Sequence, residues 1–228
     1  MLEVDNVYLR FGQVEALSGV SLSVTSGEVV ALVGSSGSGK SSLLYCMSGL
    51  LSPTGGSVRL NGVNLGALDR EGRATLRREK IGFVFQFSEL VPELTLRENI
   101  ALPLELIGAR RSLVRERVQE LLDALALADR ADARPAQVSG GEAQRAAVAR
   151  AIVHSPSIIF ADEPTGALDS KNGEAVLNAL LSLAQSHGTS VVLVTHDESV
   201  ARRADRLVTL ADGAVVADRV RAPSAVAP

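Results

Sequence analysis

The sequence predicts an α/β fold: a mostly parallel sheet with helices on both faces, and a helical lobe inserted into it. Three observations carry that prediction. Apolar runs of strand length recur at "SGEVVALVG" (26–34), "SIIFAD" (157–162), "SVVLVTH" (190–196) and "RLVTL" (206–210), with helix-like segments between them. Alternating strand and helix is the pattern of parallel sheets. The first run ends in a glycine-rich loop that opens directly into the helical "SSLLYCMSGLL" (41–51). From about 88 to 137 the texture changes, and Leu113, Arg117, Val118, Leu121, Leu122 and Leu125 trace one helix face after a candidate N-cap at Ser112.

The remaining elements follow from local pattern. Val20, Leu22 and Val24 alternate with serines, the period of a half-buried strand. The run at 26–34 is denser in apolar residues, as a strand buried on both faces is. "VRLNGVNL" (58–65) carries Asn61-Gly62, a strong hairpin-turn signal. In "VSGGEAQRAAVARA" (138–151) Ser139 sits three residues ahead of Glu142, the spacing of a capping box at a helix start. The glycines between them are expected to let an outside group approach the backbone, which makes the turn an anion site. "VRAPSAVAP" (220–228) has no periodicity and reads as a mobile tail. No internal repeat is present.

Composition narrows the class. A chain of 228 residues with 46% hydrophobic content fits one large domain or a domain with an inserted lobe. A net charge of −3 gives no long-range attraction to nucleic acid or anionic lipid. Cys46 is the single cysteine, which excludes an internal disulfide and suits a reducing compartment. One turn or so into its helix, it reads as a small core residue rather than a reactive thiol. "MLEVDNVYLR" lacks a basic stretch followed by an apolar one, and no apolar run reaches membrane-span length. The expectation is a soluble cytoplasmic protein whose membrane role, if it has one, comes through a partner.

Gly34-Ser35-Ser36-Gly37-Ser38-Gly39-Lys40-Ser41 matches the G-x-x-x-x-G-K-[ST] phosphate loop. Its glycines allow successive N–H groups to face phosphate oxygens, Lys40 neutralises the β- and γ-phosphates, and the Ser41 hydroxyl binds Mg²⁺. Lysine is scarce, with only Lys40, Lys80 and Lys171, so Lys40 is not one of a crowd. At the end of "SIIFAD", Asp162 is placed to orient Mg²⁺ from the strand's C-terminal edge, where open α/β sheets bind ligands. Glu163 can take the proton of an attacking water. His196 follows "VVLVT" at the same edge and can hydrogen-bond the γ-phosphate or the water. Gln86 ends "KIGFVFQ", where an amide can contact both Mg²⁺ and water as the helical lobe begins. His154 and His187 have no such placement. Arg70, Arg73, Arg77, Arg78 and Lys80 read as a solvated helix face, diluted by Asp69, Glu71 and Glu79.

In order, phosphate loop, Gln, Ser-Gly-Gly, Asp-Glu and His resemble the nucleotide-binding domain of ABC transporters over essentially the whole chain. "VSGGE" departs from the family's commonest Leu-Ser-Gly-Gly-Gln at its first and last positions. The resemblance implies a RecA-like phosphate-loop NTPase core with an N-terminal antiparallel β subdomain (1–87 and 156–220), an inserted helical subdomain (88–155) and a tail (221–228). It implies ATP and Mg²⁺ as ligands, Phe11 stacking on adenine, and Ser42 beside Ser41 in the phosphate loop. It further implies a head-to-tail homodimer, or pairing with a similar subunit. Ser139, Gly140, Gly141 and Glu142 of one copy then face the ATP on the other's phosphate loop, and Ala167, Leu168 and Asp169 lie in the loop through which the copies sense each other. Transmembrane permease subunits are the implied partners, with the chain held peripherally at the inner face of the membrane. "ENIALPLEL" (98–106) and "ADEPTGALDS" (161–170) are similar to the macrolide-export, lipoprotein-release and cell-division branch.

Other classes fit less well. A soluble ABC ATPase acting on DNA or ribosomes typically has a long coiled-coil insertion or two fused nucleotide domains. A phosphate-loop kinase or GTPase has no use for Ser139-Gly140-Gly141. An importer subunit remains the alternative within transport, distinguished by the loop after "DEP".

Overall fold

The computed structural model describes residues 1–221. In chain order the elements are β1 (Leu2–Phe11), β2 (Val14–Val24), β3 (Val29–Val33), α1 (Lys40–Met47), β4 (Gly55–Leu60), β5 (Val63–Asn64), α2 (Arg70–Lys80) and β6 (Ile81–Val84). They continue with α3 (Leu96–Leu106), α4 (Arg111–Ala124), α5 (Gly140–Ile152), β7 (Ile158–Asp162), α6 (Ser170–His187), β8 (Ser190–Val194), α7 (Glu198–Ala201), β9 (Arg206–Ala211) and β10 (Ala214–Val220). The chain divides into two compact units, 1–74 with 190–228, and 75–189. The second unit is wider than the helical segment 88–155, because β6, β7 and α6 belong to it.

The first unit holds a four-stranded antiparallel sheet in the order β2-β1-β4-β5. Asn61 (φ 51) and Gly62 (φ 81) form the β4–β5 turn, the double positive φ that makes Asn-Gly the favoured hairpin dipeptide. The same unit holds β3 between β8 and β9, both parallel to it, with β10 antiparallel on β9. Val30, Ala31 and Leu32 of β3 and Val191, Val192 and Leu193 of β8 are fully buried. Each such valine or leucine stabilises the fold by roughly 1.5–3 kcal/mol, which is why these runs read as continuous apolar strings. Cys46 is buried in α1, and burial pushes its thiol up to about 11, so it behaves as a small apolar side chain.

In the second unit β6 and β7 pair in parallel. Thr95 caps α3 through a full capping box with Glu98. Asn99, fully buried, holds the preceding loop by donating to the Val91, Leu94 and Thr95 carbonyls while its Oδ1 accepts from the Val91 N–H. Two expectations for α4 are corrected. The helix starts behind Arg110, and Ser112 lies within its first turn rather than at the cap. Val118, Leu121, Leu122 and Leu125 are buried, whereas Leu113 is 42% exposed, since it sits in that opening turn before the buried face is established. Helix α2 has no buried residue, in keeping with a solvated face. No helix among the described residues is long and apolar enough to cross a membrane. Most of the expected tail, residues 222–228, lies outside the described residues.

Candidate nucleotide site

In the first unit the parallel register pairs Leu32 with Val194, so the residues after β3 and β8 emerge at one sheet edge. The phosphate loop leaves from β3. Thr195 and His196 leave from β8, with the Thr195 N–H donating to the Leu32 carbonyl at 3.2 Å and His196 exposed. The structure thus brings His196 to the edge that carries the loop.

Gly34, Gly37 and Gly39 take φ values of 149°, 79° and 99°. A Cβ at Gly34 would lie 2.2 Å from the Leu210 carbonyl oxygen, and one at Gly39 would lie 2.6 Å from the Ala16 carbonyl oxygen. Close backbone packing therefore demands both glycines, while Gly37 faces open space and is needed for its turn. Ser35, Ser36 and Gly37 form an exposed crest, with Ser38 buried beneath and Ser41 and Ser42 half-buried in the first turn of α1. The Lys40 ammonium, on a side chain that is largely buried, donates to the Gly34 and Ser35 carbonyls at 3.0 and 2.7 Å and reaches Ser38 Oγ at 3.5 Å. It is held over the hollow of its own loop. Helix α1 begins behind Gly39 with no side-chain cap, so the positive end of its dipole serves the loop. Phe11 ends β1 opposite Val14 and is 52% exposed as a residue, and the β1–β2 hairpin reaches the loop through Ala16.

In the second unit the register pairs Val84 with Ala161, so the chain beyond β6 and β7 also leaves at a common edge. Asp162 closes β7. Glu163 turns with φ 48°, a left-handed conformation that costs a residue with a Cβ about 1–2 kcal/mol. The Gly166 N–H closes the turn on the Glu163 carbonyl at 3.0 Å. A Cβ at Gly166 would sit 3.0 Å from Gln86 Nε2 and 3.1 Å from Glu163 Oε2. Gln86 and Glu163, far apart in sequence, converge on that glycine.

The capping box at α5 is formed as expected. Glu142 Oε2 accepts from the Ser139 N–H and Oγ, both at 2.7 Å, and Ser139 Oγ accepts from the Glu142 N–H at 3.3 Å. These bonds, the Ser139 backbone one foremost, hold the Glu142 carboxyl below the usual carboxylate range. One expectation needs correction. Gly141 is buried, and a Cβ there would meet Asn172 Oδ1 at 2.7 Å, so this glycine serves the packing of α5 on α6 rather than an outside group. Gly140 is exposed, with only Leu168 Cδ2 within reach at 3.5 Å. Asn172 in turn donates through its backbone and side chain to Asp169, the N-cap of α6, at 2.9 and 2.6 Å. The turn at 139–141 and the loop at 167–169 are thereby one packed assembly, with Ala167 exposed and Leu168 half-buried.

Sequence reasoning passed over two side chains on α5. Gln144 Nε2 donates to the Phe85 carbonyl at 2.7 Å and to the Pro164 carbonyl at 2.9 Å. Arg150 donates to the Glu89 and Ser88 carbonyls at 2.6 and 2.9 Å. The available signal was a polar residue at a buried phase of an Ala-rich helix. Of the histidines given no function, His187 lies 2.9 Å from Arg117, and His154 Nε2 lies 3.2 Å from the Ile81 carbonyl.

Comparison with known proteins places this geometry in a family. The family described as ABC transporter matches residues 17–166. The chain is 44% identical over 220 residues to the lipoprotein-releasing system ATP-binding protein LolD 1 of Rhodospirillum rubrum, covering 95% of this chain and 97% of that protein. It is also 44% identical over 232 residues to the macrolide export ATP-binding/permease protein MacB 1 of Aeromonas hydrophila, covering all of this chain and 36% of that longer protein. Among solved structures, the dimeric post-hydrolysis state of the ATP-binding cassette MJ0796, bound to ADP and Pi, superposes with a TM-score of 0.87 at 40% identity, covering 98% of this chain and 100% of that one. The chain belongs to the ABC transporter family, with the α/β fold of its ATP-binding cassettes, and is an ATPase.

Proposed function

We propose that this chain is the ATP-binding and hydrolysing subunit of a transporter, pairing head to tail with a second copy or a similar subunit around two ATP and driving a separate transmembrane partner. Lys40 and the loop amides hold the β- and γ-phosphates, and the exposed Phe11 offers a stacking face for adenine. The substrate is ATP carrying magnesium. Ser41 of the first unit, and Gln86 and Asp162 of the second, each carry a hard oxygen donor of the kind Mg²⁺ takes, and the ion, when bound, would offset charge on the phosphates. Glu163 accepts the proton of the attacking water, and His196 hydrogen-bonds the γ-phosphate or that water. Ser139 and Gly140 serve the ATP held by the other copy, with Asp169 and its neighbours at the contact between copies. The names of the LolD and MacB relatives favour release or export over import. On this reading the chain works at the inner face of the membrane and has no nucleic-acid partner.

The observation that carries the paired reading is the exposed Ser139-Gly140 helix start. We read it as a second anion-binding turn, and it belongs to a different compact unit from the phosphate loop. Purification from native membranes tests the transport half. Recovery with a membrane protein is expected; recovery of an active ATPase alone, after mild extraction, would overturn it.

A further inference from the structure

We propose that Gln144 is a positioning residue that fixes the Gln86 and Glu163 loops in one register, making α5 the element through which the Ser139-Gly140 turn and the hydrolytic groups move together. The inference rests on the functional reading of Gln86 and Glu163 given above.

A primary amide nitrogen has two N–H donors, and Gln144 uses them on two different loops. One goes to the carbonyl of Phe85, directly before Gln86, and the other to the carbonyl of Pro164, directly after Glu163. Gln144 is 2% exposed and its bond to the buried Pro164 is out of reach of water, so loss of the amide leaves that carbonyl without a partner. In the same two loops, Gln86 Nε2 and Glu163 Oε2 lie 3.0 and 3.1 Å from where a Cβ on Gly166 would sit. Arg150, two turns along α5, pins residues 88 and 89, both in left-handed conformations (φ 58° and 49°). The loop carrying Gln86 is thus fastened to α5 on both sides, and the Glu163 turn is fastened to the same helix by the same amide. Displacing such groups by about 1 Å can slow a reaction roughly 10²-fold. The helix also begins at Ser139, and its first buried glycine packs on Asn172 beneath Asp169. A contact made at the helix start is transmitted along a rigid rod to both loops.

The test uses the full chain and the variant Gln144→Met, which keeps the length and removes both donors. ATP turnover is measured against ATP and against Mg²⁺, and amide hydrogen exchange is read at 85–89 and 163–166. Expected are a fall in kcat of about 10-fold or more with KM within about threefold, a higher Mg²⁺ requirement, and faster exchange at both loops together. Exchange that quickens at one loop or neither, or unchanged kcat despite quickened exchange at both, overturns the proposal. A native chain that turns over no ATP overturns the functional reading instead; coupled exchange of the two loops then still supports the bridge, and uncoupled exchange still overturns it. Should the variant fail to fold, the native chain labelled at glutamine decides. The Gln144 side-chain amide is expected to exchange at least about 100-fold more slowly than that of exposed Gln13, and equal rates overturn the bridge.

Discussion

At the scale of the residue, two charged side chains are held in ways that separate binding from chemistry. Lys40 already rests on carbonyl oxygens of its own loop, so on the proposed reading bound phosphates would replace one set of acceptors by a stronger, charged one. Lys40→Ala is expected to weaken ATP binding, read by calorimetry; unchanged affinity would show that the nucleotide lies elsewhere. Glu163 differs, because its backbone is turned into the left-handed region so that the side chain lands beside Gln86 at Gly166. A residue kept in a costly conformation at a sheet edge is a candidate for a reacting group rather than a packing one. Glu163→Gln preserves the shape and cannot take a proton. Turnover should fall about 10²–10⁴-fold with ATP binding retained, and gel filtration with ATP should show the variant trapped as a dimer. Wild-type turnover would remove Glu163 from the base position.

At the scale of the element, helix α5 shows both what was legible in the sequence and what was not. Its start was readable because a capping box is a local device: Ser139 and Glu142 need only each other. The buried strands were equally plain, since β3 and β8 are apolar on both faces. The cap of α4 was misjudged because Ser112 has the right chemistry for a cap and lies just inside the helix, with Arg110 at the boundary making no side-chain cap bond. The inward Gly141 and the bridging Gln144 depend on partners far along the chain, Asn172, Phe85 and Pro164, which no local pattern reveals. The cap also sets a pH response. Folding lowers the Glu142 pKa, so its contribution is fully present above the ordinary carboxylate value and fades as pH falls through the lower folded value. Ser139→Ala should cost about 0.5–2 kcal/mol at neutral pH and less in acid, where the cap is already failing. Thermal melting at both pH values checks this, and an equal loss at each would mean that the Glu142 charge plays no part.

At the scale of the whole molecule, the proposal that the phosphate loop and the Ser139-Gly140 turn each serve a different ATP can be decided by subunit mixing. Gly140→Asp is a clean probe, because Gly140 is exposed, has ordinary contact with Leu168 alone, and opens a helix, where a carboxylate is favoured. The variant should fold and bind ATP as a monomer much as the native chain does. In a head-to-tail pair the new carboxylate faces the partner's γ-phosphate, a like-charge clash in a poorly solvated interface, so hydrolysis should collapse while affinity survives. Combining Gly140→Asp with Lys40→Ala subunits then separates the two arrangements. If the turn of one copy meets the phosphate loop of the other, both lesions fall on one composite site. The second site keeps an intact loop from one subunit and an intact turn from the other, and should trap ATP. If each chain's turn serves its own loop, both sites of the mixed pair are damaged and neither traps. Trapping at about half the native level in mixed pairs is the expected result; its absence, with native protein trapping normally alongside, would leave the head-to-tail pairing without support.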